Sequence, residues 1–127
     1  MSSLRKRDSP IVLNPSINQY VSDSPAIAKL TAKYGDRLNT MTLYEKLLTI
    51  MLLSSTLSDG ILDANVEPSI ERQIETYTSG GYIISPELRD ALVALDDCDE
   101  RQVTAVVVAL IGYVSAYLVQ LALSAAQ

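Results

Sequence analysis

The chain has 127 residues, of which 48 % are apolar, and carries a net charge of −5 with no His, Trp or Phe. Without His and with one cysteine, Cys98, it cannot build Ser-His-Asp or Cys-His catalysis, an intrachain disulfide or a cysteine-based metal site. Carboxylate, lysine and tyrosine chemistry stay open.

The length suits one domain that buries roughly two-thirds of its unfolded surface. Seven Tyr are the only aromatics, so the core must be built from Leu, Ile, Val and Ala. Charge is uneven. Residues 5–7 read Arg5-Lys6-Arg7, whereas eleven acids lie between Asp59 and Glu100 against Arg72 and Arg89 alone. An acidic middle repels phosphate backbones and argues against broad nucleic-acid contact. The basic triplet reads as a solvated tail, with contact to phosphate or an acidic partner as its functional alternative.

Residues 1–24 contain Pro10 and Pro15, several Ser and Asn, and no helical period. Proline removes a backbone donor and restricts the residue before it, so the stretch is expected to be an extended arm preceding a helical domain over 25–127. Ile11-Val12-Leu13 is too short for the apolar part of a secretory signal. The expected location is intracellular, in the cytoplasm or within a virion.

Ser24-Pro25 is a helix start, with Ser as cap and Pro at the first helical position. Ile27, Leu30 and Tyr34 supply the apolar stripe and Gly35 the stop, giving a helix over 25–34. Thr42-Leu43-Tyr44-Glu45 matches a capping box. Leu43, Leu47, Ile50, Met51 and Leu57 recur behind it at helical spacing, and Ser58-Asp59-Gly60 is the expected end. Glu67-Pro68 opens a weaker surface helix over 68–76.

Tyr77-Thr78-Ser79-Gly80-Gly81-Tyr82-Ile83-Ile84 reads as a small β-hairpin near 76–84, with strand-forming residues about a glycine pair. A phosphate loop needs a Lys and Ser/Thr that do not follow. Ser85-Pro86 starts a helix that reaches Leu95 and buries Leu88, Leu92 and Leu95. In Asp96-Asp97-Cys98-Asp99-Glu100 the acids lack the spacing of a calcium loop. Asp97 and Glu100 fit a second capping box instead, with negative charge at a helix N-terminus.

From Gln102 to Gln127 no residue is charged. The run is long enough to cross a bilayer, which takes about 20 residues, so a tail anchor and a bundle centre both fit its composition. Ala105, Ala109, Gly112 and Ala116 fall on one side, Val107, Ile111, Val114, Leu118 and Leu121 on the other. The small side is the candidate site for helix packing or self-association, with Ser54 and Ser55 of the second helix as its intramolecular match. Ser115, Gln120 and Ser124 dilute the run, and no basic cluster flanks it, which favours the bundle.

The expected fold is therefore all-α, a bundle around a long C-terminal helix with a small hairpin and an N-terminal arm. No pattern here carries catalysis, a cofactor or a metal, so a non-enzymatic structural or assembly subunit is expected: a virion coat protein, a filament subunit or an accessory subunit. Its partners would be copies of itself or other subunits. In general organisation, helices with a small insert, the chain is also similar to the small subunits of archaeal CRISPR effector complexes, a fold-level likeness without a shared motif. That likeness implies a helical subunit docked mainly through protein contacts. A tail-anchored membrane protein is the third expectation.

Overall fold

The structure is a computed structural model that describes residues 15–126. Among these residues are α1 (Pro25–Tyr34), α2 (Leu43–Leu62), α3 (Ile70–Ser79), α4 (Pro86–Val93) and α5 (Glu100–Ala125), with short 3-10 turns at Ile17–Gln19 and Ala94–Asp97 and no strand. The all-α expectation holds. The hairpin does not.

Local chemistry sets each start and stop. The Ser24 hydroxyl accepts from the Ile27 amide at 3.3 Å, and α1 ends at Gly35 with φ +93°, the left-handed region glycine enters freely. Leu38, at φ +51°, makes the next turn against its preference, at a cost of about 1–2 kcal/mol. Its complete burial holds it there. At α2 the Glu45 amide donates to Thr42 Oγ1 at 3.1 Å and the Thr42 amide to Glu45 Oε1 at 2.9 Å, a full capping box. The helix runs through Gly60 to Leu62 rather than stopping there. Glycine stands at 60 because a Cβ would lie 2.7 Å from Pro68 Cγ, so close packing, not termination, explains it.

Helix α3 begins two residues later than expected, capped by Ser69, with Pro68 left outside. It then runs through Tyr77-Thr78-Ser79, where strand was expected. The glycine pair is its stop: the Gly81 amide donates to the Thr78 carbonyl at 3.1 Å and the Tyr82 amide to the Tyr77 carbonyl at 3.0 Å, with Gly81 at φ +100°. This is a Schellman end, with the usual apolar contact between its outer residues: the Tyr77 and Tyr82 rings lie 5.2 Å apart. Strand propensity at Tyr and Thr lost to tertiary contact, because the Tyr77 hydroxyl reaches Ser55 Oγ at 2.8 Å.

Ser85 caps α4 through the Leu88 amide at 3.2 Å, and Leu88, Leu92 and Leu95 are buried as expected. The acidic stretch does its capping two residues beyond the expected pair. Asp99 and Gln102 form the capping box of α5, while Asp97 ends the preceding 3-10 turn. Asp96 caps a different helix, accepting from the Ile70 amide at 2.7 Å and the Glu71 amide at 3.1 Å.

Helices α2 and α5 are antiparallel at the centre: Leu47 and Ile50 lie beside the far end of α5, Thr56 and Gly60 beside Glu100 and Val103 at its start. Of the expected arm, residues 15–24 pack on the body. Ile17 and Val21 are core residues, the Ile17 amide donates to the Asp36 carbonyl at 2.7 Å, and the Tyr113 hydroxyl donates to the Pro15 carbonyl at 2.8 Å.

Candidate functional site: the bare end of the long helix

Helix α5 is buried through Val103, Val106, Leu110, Tyr113 and Val114, and beyond that point every described residue except the half-buried Ala116 is exposed. The expected division ran around the helix, a small side against a large side. The actual division runs along it. Val107 and Val114 of the expected large side are buried, while Ile111, Leu118 and Leu121 are half exposed at 52 %, 51 % and 50 %. The composition of the last three turns matches that of the turns before; what differs is whether another element lies alongside.

Within the small side, Ala109 is fully buried and Ala105, Gly112 and Ala116 are half-buried. Its neighbour at Gly112 is Tyr20, whose hydroxyl would stand 3.0 Å from an added Cβ. Tyr20 meets Tyr113 edge to face with ring centres 6.0 Å apart. The glycine thus makes room for the segment leading into α1, not for α2. Ser54 is exposed and Ser55 engages Tyr77. Arg5, Lys6 and Arg7 lie outside the described residues.

On α2 the face chosen from apolar spacing is the outer one. Leu43, Leu47 and Met51 are exposed, Ile50 and Leu57 half-buried, and the buried line is Leu48, Leu52 and Leu53 with Thr49 and Thr56. The two threonines concealed that line from the sequence. Their hydroxyls donate to the Glu45 and Leu52 carbonyls at 2.7 and 3.0 Å, satisfying themselves within the helix, so their methyl groups can face the core. Both faces of α2 are apolar, and the outer one joins α5. Leu47, Ile50, Ile111, Val114, Ser115, Leu118, Val119 and Ala122 line an open trough of about 540 Å³. A soluble surface rarely carries a contiguous apolar patch of this kind without a use for it.

Elsewhere several polar groups serve the fold. Asp96 and Asp99 serve as caps. Burial pushes the Cys98 thiol above its ordinary range, the neighbouring Asp99 and Asp97 push it further, and a contact with Ser24 opposes them, so at neutral pH it is a thiol rather than a nucleophilic thiolate. Among the described residues no group of three or more His, Cys, Asp or Glu is placed to hold a metal. An open groove between α1 and α4 carries Lys29, Lys33, Glu87 and Asp90, of which Lys29 and Asp90 pair at 3.0 Å on the surface.

No protein family, curated protein or solved structure matches the chain.

Proposed function

We propose that the protein is a non-enzymatic assembly subunit: a compact helical body that presents the far half of α5, with the outer stripe of α2 beside it, as its docking element. One observation carries this reading. Three uncharged turns of helix project an apolar surface with no partner among the described residues, joined to a second apolar stripe across a trough. Burial of apolar surface at roughly 25 cal/mol per Å² gives such a surface a strong drive to associate.

A membrane anchor is the competing reading. Helix α5 is long and apolar enough to cross a bilayer by length and composition, yet 33 % of its most apolar stretch is buried in the body. Spanning with the whole helix would strip the core of its central element. Truncation after Val114 separates the readings from a body that depends on the whole helix. The shortened chain should keep its helical circular dichroism and cooperative melt, and should elute as a monomer where the full chain elutes as a larger species in chromatography with light scattering. A full chain that stays monomeric at high concentration, with no tendency to bind vesicles, would remove the proposal.

A further inference from the structure

Resting on the assembly reading, we infer that the occupant of the α5 surface is a second copy of the chain, packed antiparallel about a two-fold axis between Ala116 and Tyr117. The argument is the order of side-chain sizes along the exposed face that borders the trough. That face reads Val108, Ile111, Ser115, Leu118, Ala122 and Ala125, all exposed. Its spacing of three and four residues keeps the six on one side of the helix. A two-fold contact brings the same patch against itself, so the patch must be its own complement. With the axis at that point, Val108 faces Ala125 of the second copy, Ile111 faces its Ala122, and Ser115 faces its Leu118. Every layer sets a large side chain against a small one, which is how facing helices interdigitate. A parallel pairing in register would set large on large and small on small. Lipid, being fluid, draws no advantage from such an order.

Charge agrees with the pairing. A net charge of −5 opposes self-association, but the acids gather before α5. The antiparallel arrangement holds the two Glu100 ends roughly 50 Å apart by helical rise, far beyond the ~8 Å screening length at physiological salt.

Sedimentation equilibrium of the full chain, with four variants, tests the inference. The native chain should be a dimer. Leu118→Glu places a charge in a central layer twice and should raise the dissociation constant at least about 100-fold without changing circular dichroism, since Leu118 is half exposed in the monomer. Ser115→Leu and Leu118→Ser should each weaken the dimer roughly 10-fold. The double variant Ser115→Leu/Leu118→Ser exchanges the two within their layer, keeps large against small, and should recover to within a few-fold of the native chain. Association that ignores Leu118→Glu would overturn this face while leaving self-association in place. Weakening without recovery in the double variant would overturn the antiparallel register. A monomer that binds phosphatidylcholine vesicles would replace the second copy with lipid, and a monomer that binds neither would overturn the assembly reading as well.

Discussion

The two halves of α5 are alike in composition and opposite in surroundings. Up to Val114 the helix is the centre of the core, meeting α2 on one side and the 15–21 segment on another; from Ser115 onward it is almost wholly exposed among the described residues. Leu110 is 0 % exposed and Leu121 50 %, yet both are leucines in one uncharged helix. Hydrophobic run length says that a surface should be covered. It does not say by what, because the drive to leave water has no direction. The folded chain answers for one half and, among the described residues, leaves the other exposed.

The sharpest way to break that comparison is to delete the same atoms from each half. Leu110→Ala should cost about 2–5 kcal/mol, through lost burial and the cavity left behind. Leu121→Ala should change stability by less than about 0.5 kcal/mol, as exposed positions do. Urea denaturation at concentrations low enough to keep the chain monomeric compares the two. Equal losses would mean that the end of α5 is packed in the free chain after all. Filling the close approach at Gly112 comes next. Gly112→Leu should cost about 1–3 kcal/mol by overpacking, because Tyr20 already stands where the new side chain must go. A thermal melt reads it. Ala116→Leu, one turn further on, should cost much less, and the contrast marks where coverage by the chain ends.

Much of this was legible from local chemistry. Ser24, Thr42 with Glu45, and Ser85 cap helices that the sequence places within a few residues, since a cap needs only its own first turn. What the sequence hid depends on partners distant in the chain. Gly60 reads as a stop until Pro68 is seen against it. The glycine pair at 80–81 serves a helix end as readily as a hairpin, and the Tyr77 contact with Ser55 decides between them. On α2 the threonines make the core face look polar, while the plainest apolar spacing lies on the outer stripe. The trough and the bareness of the α5 end follow only from where the body stops.

The start of α5 contrasts with its end in a second way, being fixed by a capping box at Asp99 and Gln102. Asp99→Ala should cost about 1 kcal/mol, within the 0.5–2 kcal/mol span of lost caps, and hydrogen exchange should show fraying of the first turn while the final turns keep their rate. Frayed final turns in that variant would mean that the two halves melt as one unit, and the comparison would lose its meaning.

The smallest expected effect tests whether the 15–21 segment truly seals the covered half. Tyr113 is buried and its hydroxyl donates to the Pro15 carbonyl. Burial first, then the neighbouring Tyr20, push its pKa from the ordinary 10.0 up to about 12, with Arg37 opposing. The folded state therefore holds the phenol proton more tightly than the unfolded chain does. Stability tied to this group is fully present below pH 10 and declines as pH rises toward about 12, where the unfolded chain has released its proton and the native one has not. Tyr113→Phe should cost about 1 kcal/mol at neutral pH, the net worth of an ordinary hydrogen bond, and should flatten the alkaline decline measured by denaturant midpoints between pH 9 and 12. Tyr117, on the next turn and about half exposed, supplies the control: Tyr117→Phe should change stability at neutral pH by less than about 0.5 kcal/mol, as exposed positions do. An equal loss in both variants would place Tyr117 in a covered environment and erase the boundary at Val114.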